Sequence, residues 1–174
     1  MKTLSKSRDH RPLTSTWSYS RWMYRSGRPN WLAKPQNRLS NLAFGAGLMP
    51  GRAASLEVIG RRSGQPITLP VVIADWGGVE YLVSMLGDSA NWVKNIRAAD
   101  GVAILRRGRD EPVRLEEVAI EDRPPIIRRY AEVAPGGRPH LKLPRNASIE
   151  QCKALAPRTP VFRITPLSVI GRGG

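Results

Sequence analysis

The chain has 174 residues, 41% of them hydrophobic, which is enough for one domain with its own core. Its 28 Lys and Arg against 14 Asp and Glu give a net charge of +14, and a single cysteine, Cys152, excludes an internal disulfide and a cysteine-based zinc site. No apolar run approaches the roughly 18 residues of a spanning helix, and the N-terminus lacks the apolar core of a secretory signal, so we expect a cytoplasmic protein.

The first part of the chain is strongly basic. Residues 1–52 hold ten basic side chains and one acidic side chain, Asp9. Residues 1–30 show no clear periodicity, and we predict a mobile arm there, followed by one folded domain over residues 31–174. Basic residues mixed with Trp and Tyr are typical of segments that lie on anionic membranes or stack on single-stranded bases. A tail without any partner is the alternative.

The rest of the chain predicts a small barrel with helices around it. Apolar spacing indicates a helix over residues 35–48. Short β-branched segments between turns indicate strands over residues 55–59, 67–74, 80–86, 102–106, 113–120 and 161–164. Further helices are predicted from Asp88 or Ser89 to Ala99, over 121–133 and over 148–155. Short strands with tight turns and few helices predict an α+β fold that is mainly β.

Several common kinds of active site are poorly supported. His10 lies in the arm and His140 in a Pro/Gly-rich loop, so neither is placed to serve a Ser-His-acid triad or a metal site. Neighbouring carboxylates, at 110–111 and 116–117, point to opposite faces of a strand and form no acid/base pair. The chain contains neither a Walker-type loop nor G-x-G-x-x-G, which argues against P-loop and Rossmann enzymes.

One turn has the composition of an anion-binding site. Gly60-Arg61-Arg62-Ser63-Gly64 joins two predicted strands. The glycines permit a tight turn whose backbone N–H groups can converge on an anion, and the arginines and the serine hydroxyl add charge-assisted hydrogen bonds. This pattern predicts a phosphate site, although an ordinary surface hairpin explains the same residues.

A wider set of motifs resembles the deazaflavin-dependent nitroreductase family. G-R-R-S-G-Q-P at 60–66 is followed by Pro70, by S-M-L-G-D at 84–88 and by N-W-x-x-N-x-R-A at 91–98. The resemblance covers roughly residues 36–167. It implies a split β-barrel, similar to FMN-binding barrels, with peripheral helices, and coenzyme F420 as the anionic cofactor of an oxidoreductase.

The resemblance also implies which residues bind the coenzyme. The phosphate would lie against Arg61, Arg62, Ser63, Gly64 and Gln65. The deazaflavin ring would lie against Pro70, Val71 and Val72, and against Ser84, Met85, Leu86 and Gly87. The following helix would contribute Asn91, Trp92 and Asn95. Trp92 has the alternative of ordinary core packing. Additional cations proposed for the coenzyme's anionic tail are Arg97, Arg106, Arg107 and Arg109.

The expected reaction is hydride transfer from reduced deazaflavin to a small hydrophobic acceptor that is quinone-like, a nitro compound or an activated alkene. Candidate proton donors are Ser84 and Tyr130. Ile67, Val72 and Leu86 stand where the family often has polar residues, which argues against nitroimidazoles. The alternatives are a split-barrel protein that binds FMN or haem and, with less support, a nucleic-acid-binding protein that uses the arm. We expect a monomer or homodimer, with the arm placing it on the inner face of the membrane.

Overall fold

The computed structural model describes residues 51–167, which fold into a closed antiparallel barrel. Its strands are β1 (Ala53–Ile59), β2 (Pro66–Trp76), β3 (Val79–Val83), β4 (Val102–Arg106), β5 (Asp110–Glu117) and β6 (Val161–Pro166). They are neighbours in the order β1-β2-β3-β6-β5-β4. The helices of this segment are α1 (Asn91–Ala98), α2 (Arg123–Val133), α3 (Arg138–Leu141) and α4 (Ile149–Leu155). The predicted barrel with peripheral helices is confirmed. The predicted arm and the predicted helix over 35–48 lie outside the described residues.

The barrel interior is formed by alternate residues of the strands. Leu56 and Val58 of β1, Leu105 of β4 and Phe162 of β6 are fully or almost fully buried in one apolar cluster. Helix α1 adds Val93 and Ile96 to the same cluster and packs against β1. Because side chains alternate along a strand, the residues between these positions face outwards.

A second apolar layer covers the outer face of β2, β3 and β6. Helix α2 packs on β2 and on α4. Ala74 of β2, Val83 of β3 and Val161 of β6 share a buried cluster with Ile127 of α2 and Cys152 of α4. The barrel is therefore buried on this outer face as well as inside. Helix α1 belongs to the interior cluster, whereas α2 and α4 belong to the outer cluster.

Several predicted boundaries are wrong. β3 ends at Val83 rather than 86, because residues 84–87 form a hydrogen-bonded turn. β5 runs over Asp110–Glu117 rather than 113–120, because the preceding hairpin is tight and pairs Arg106 with Asp110. α1 begins at Asn91 after Ala90, which makes no side-chain cap, so neither Asp88 nor Ser89 caps it.

The later helices follow the sequence more closely. α4 is preceded by Ser148, whose hydroxyl accepts from the Gln151 N–H while the Gln151 side chain accepts from the Ser148 N–H, a capping box. α2 begins at Arg123 rather than 121, because Ile120–Asp122 form a 3-10 turn. The short helix α3 was not predicted. None of the helices described between residues 51 and 167 is long and apolar enough to cross a membrane.

Candidate functional site

The arginine turn, residues 60–65, is closed by its own backbone. The Gly60 N–H donates to the Gln65 carbonyl and the Gly64 N–H to the Gly60 carbonyl, both at 2.8 Å. Gly64 has φ +65°. Within the described segment, the consecutive N–H groups of Arg62 and Ser63 have no protein partner, and both residues are exposed. Two adjacent exposed N–H groups in a rigid turn can bind an anion.

The two arginines of this turn have different surroundings. The Arg61 guanidinium donates to the Asn95 Oδ1 at 2.8 Å and to the Asn91 Oδ1 at 3.5 Å, and the Arg61 N–H donates to the Asn95 Oδ1 at 3.2 Å. Asn95 is buried. Arg62 is exposed, and its guanidinium contacts no carboxylate among residues 51–167. Arg61 therefore fixes the turn to α1, and Arg62 is the cation that is available to a ligand.

Strand β2 has an open edge beside this turn. β2 pairs with β1 over residues 66–72 but with β3 over Ile73–Trp76, so its edge towards β3 has no strand partner from Pro66 to Val72 in the described segment. None of residues 66–72 is buried. A strand edge of this kind presents backbone N–H and C=O groups that can hydrogen-bond a ligand.

The predicted ring-binding residues of β2 do not share one face. Val71 packs against the barrel interior, whereas Val72 packs against the outer cluster beneath α2. Consecutive side chains on a strand alternate, so Pro70, Val71 and Val72 cannot all turn their side chains to one flat ring. What they share is the open backbone edge.

The loop after β3 is held rigidly. Ser84 is 1% exposed, and its hydroxyl donates to the Gly87 carbonyl at 2.9 Å while the Gly87 N–H donates to the Ser84 carbonyl at 3.0 Å. Gly87 has φ +73°, and a Cβ there would lie 2.9 Å from the Arg158 carbonyl oxygen. Leu86 is 57% exposed at the tip. The loop thus presents an apolar side chain on a fixed backbone next to the end of β3.

The two predicted proton donors lie in different settings. The Ser84 hydroxyl proton is engaged by Gly87, as described above. Tyr130 is 4% exposed in the outer cluster, and burial raises the pKa of its phenol to about 12. A Cβ at Gly137 would lie 2.5 Å from the Tyr130 ring, so the phenol is tightly packed. Proton donation by either residue stays a prediction.

Trp92 packs on the barrel core. Its ring centroid lies 5.4 Å from that of Phe162 in a tilted arrangement, and the indole is half-buried against the interior cluster. We expect Trp92→Ala to lower the free energy of unfolding by about 3 kcal/mol, since an aromatic contact and apolar burial are lost. We expect the affinity for the predicted coenzyme to change by less than about threefold.

Urea unfolding and coenzyme titration separate these two effects of Trp92→Ala. The exposed Trp76 is the matched control, and its replacement by Ala is expected to cost no more than about 0.5 kcal/mol. A large loss of coenzyme affinity with unchanged stability would mean that Trp92 instead lines the ligand site.

The additional arginines proposed for an anionic tail are already paired. Arg106, Arg107 and Arg109 lie on the β4–β5 hairpin and contact carboxylates at 2.6–3.0 Å, and hydrogen bonds from Arg109 and Arg107 lower the pKa of Glu111. Arg106 is opposite Ser55, at the far end of β1 from the arginine turn. Arg97 pairs with Asp88 and Glu117 at 2.7 Å. All four of these cations are therefore neutralised by carboxylates, and Arg97 lies beside the loop after β3 through its ion pair with Asp88.

A cavity of about 510 Å³ borders the loop after β3. It is lined by Met85, Leu86, Gly87, Asp88, His140, Leu141, Lys142, Leu155, Arg158 and Thr159. Its volume is in the range of small-molecule sites. Sequence reasoning missed Lys142 and Arg158 and set His140 aside. His140 belongs to α3, Lys142 follows that helix directly, and Arg158 lies in the turn Ala156–Arg158. All three come more than fifty residues after the loop, and no local pattern links them to it.

Comparisons with known proteins add a family match. A family model described as F420H(2)-dependent quinone reductase matches residues 34–140. A search of curated proteins finds no match.

Solved structures give weaker likenesses. A protein of unknown function from Agrobacterium tumefaciens matches with a TM-score of 0.49 and 18% identity over 67% of this chain, which spans 49% of that protein. An F420-H2 dependent reductase, FDR-A, has a TM-score of 0.46 and 15% identity over 67% of this chain and 96% of its own. The haem storage protein HutZ from Vibrio cholerae has a TM-score of 0.43 and 11% identity, over 78% of this chain and 90% of its own. The family match, and not these likenesses, identifies the chain.

Proposed function

Because the chain belongs to the F420H(2)-dependent quinone reductase family, with F420 as its coenzyme, we propose that it reduces a quinone-like acceptor with a hydride from reduced F420. Family membership makes it an F420-dependent reductase; the acceptor and the residues that serve it are the proposed part. The FMN and haem alternatives find no support in the family match. Reduction of nitro groups and of activated alkenes stays a prediction.

The residues of the candidate site fit this coenzyme. Its phosphate is proposed to lie on the arginine turn, where Arg62 is unpaired within the described segment and the N–H groups of Arg62 and Ser63 are exposed. Gly64, with φ +65°, keeps this turn tight. Arg61, held by Asn91 and Asn95, is proposed to position the turn. These are the contacts that a phosphate ester needs.

The flat ring is proposed to lie along the open edge of β2. That edge begins where β3 leaves the sheet at Val83, so the loop that follows is its neighbour. The backbone of residues 66–72 can hydrogen-bond the polar edge of a ring, and Met85 and Leu86 supply apolar contact. When bound, the reduced deazaflavin supplies the hydride. The protein holds it in place, keeps water away and positions the acceptor.

Ser84 is the proposed proton donor of the two candidates. It follows β3 directly and stands in the loop that borders both the β2 edge and the cavity. Its hydroxyl now donates to the Gly87 carbonyl, so donation to an acceptor requires that bond to be exchanged. Tyr130 lies instead within the outer apolar cluster.

The observation that carries the proposal is the open β2 edge flanked by an anion-binding turn and an apolar loop. The test is a comparison of acceptors with reduced F420 in excess: menadione, a nitroimidazole and cyclohexenone, followed by the rise of coenzyme fluorescence. Menadione is expected to be reduced fastest, because the loop and the edge offer the exposed apolar side chains of Leu86 and Ile67. Faster reduction of the nitroimidazole would overturn the quinone assignment and leave the coenzyme assignment intact.

A further inference from the structure

The cavity beside the loop after β3 has a cationic wall. Lys142 and Arg158 line it, and neither has an ion-pair partner among residues 51–167. Asp88 is the carboxylate in the lining, and Arg97 already neutralises it at 2.7 Å. The cavity wall therefore carries unpaired positive charge, whereas the arginines of the β4–β5 hairpin are paired with carboxylates.

Both cations stand on rigid supports. Lys142 ends helix α3 with φ +53°, and its N–H donates to the Arg138 and Pro139 carbonyls. Arg158 lies in the turn Ala156–Arg158, whose flanking carbonyls at Ala156 and Thr159 accept hydrogen bonds from the buried Arg123. Backbones held in this way give charged side chains fixed points of attachment.

The rest of the lining combines four apolar side chains with His140 and Thr159. The apolar side chains are those of Met85, Leu86, Leu141 and Leu155. Apolar walls with a few convergent charged groups are typical of sites for small molecules whose body is apolar and whose substituent is charged. The cavity also shares Met85–Gly87 with the proposed ring site, so a molecule there is next to the coenzyme.

From this arrangement we propose that the cavity binds an acceptor with a flat apolar body and an anionic substituent, and that Lys142 and Arg158 hold the anion. This proposal rests on the proposed function, because the acceptor is the molecule that must lie beside the ring. The tail of F420 is also anionic, because it carries carboxylates and a phosphate. The experiment therefore has to distinguish an anion of the acceptor from an anion of the coenzyme's tail.

The test measures binding without turnover. Equilibrium dialysis of the full chain, with and without oxidised F420, compares naphthoquinone sulfonate with menadione, which is uncharged. The wild type is expected to bind the sulfonate about 10-fold more tightly, as charge-assisted contacts predict. The preference should fall below about twofold in K142Q/R158Q and at high salt. Arg145→Gln, an exposed arginine outside the cavity lining, is the matched control and should keep the preference.

Three results would overturn the proposal. The first is equal binding of the two quinones by the wild type. The second is a preference that K142Q/R158Q retains. The third is that K142Q/R158Q weakens F420 but not a phosphate-free deazaflavin, which would assign the cations to the coenzyme's tail. A chain that reduces menadione without preferring the sulfonate keeps the proposed function and loses this inference. A chain that binds the sulfonate through Lys142 and Arg158 but does not bind F420 loses the proposed function and, with it, the acceptor role of this cavity.

Discussion

Arg62→Ala is expected to weaken F420 binding by about 10- to 150-fold, because a charge-assisted hydrogen bond contributes about 1.5–3 kcal/mol. Arg62 is exposed and has no carboxylate partner within residues 51–167, so the free energy of unfolding should change by less than about 0.5 kcal/mol. Fluorescence titration with F420 and with a phosphate-free deazaflavin measures the effect. The phosphate-free compound should bind the wild type and the variant equally.

Arg61→Ala is the matched comparison within the same turn. Its guanidinium joins the turn to Asn91 and Asn95, so we expect a loss of stability as well as a loss of coenzyme affinity. Arg61→Ala removes the guanidinium hydrogen bond to the buried Asn95 but keeps the one from the Arg61 N–H, so the loss is expected to be about 0.5–1.5 kcal/mol. If both single variants bound intact F420 as tightly as the wild type, the phosphate would not lie on this turn.

Arg123→Ala is expected to lower the free energy of unfolding by about 3–5 kcal/mol, since it removes a buried cation from its partners. Arg123 is 6% exposed and donates to the carbonyls of Val118, Ala156 and Thr159 and to the Glu117 carboxylate. These carbonyls lose their partner in the interior when the side chain is truncated. Urea unfolding measures the loss.

Arg128→Ala is the control for this prediction. Arg128 lies on the same helix but is exposed and contacts Glu132 at 3.7 Å, so its removal should cost less than about 0.5 kcal/mol. Equal losses in the two variants would show that the Arg123 hydrogen bonds do not stabilise the fold. Arg123 also supports the turn that carries Arg158, so a stable Arg123→Lys variant with a weakened sulfonate preference would connect this buried residue to the cavity.

Local sequence patterns predict most of the helices and strands but not which strands pair with each other, or over which residues. The alternation in β1 and β4 and the capping box at Ser148 lie in contiguous residues, so strands and helices are visible in the sequence. β2 pairs with β1 over residues 66–72 and with β3 only over Ile73–Trp76. How much of β2 remains without β3 depends on the length of β3, which no local pattern encodes. The open edge, which is the central feature of the candidate site, could therefore not be predicted.

The charged residues could likewise be predicted where they are adjacent in the sequence, but not where they meet only in the folded chain. Sequence reasoning identified the arginine turn because its residues are adjacent, and the structure keeps them adjacent to Asn91 and Asn95. It could not tell that Arg106 and Arg107 are neutralised by Glu57 and Glu80, which are far away in the chain. Nor could it place Lys142 and Arg158 beside residues 85–88, because these residues are far apart in the chain and line one cavity only in the folded protein.

The most direct test of the central claim, that the chain binds F420 at the β2 edge and the arginine turn, is one titration. Purified full-length protein is titrated with F420, FMN and an oligonucleotide, and coenzyme fluorescence or nucleic-acid anisotropy is followed at physiological salt. Saturable binding of F420 is expected, with FMN and the oligonucleotide at least about 10-fold weaker, and the Arg62→Ala variant is expected to lose that preference for F420. Tighter binding of FMN than of F420, or an F420 affinity unaffected by Arg62→Ala, would contradict it.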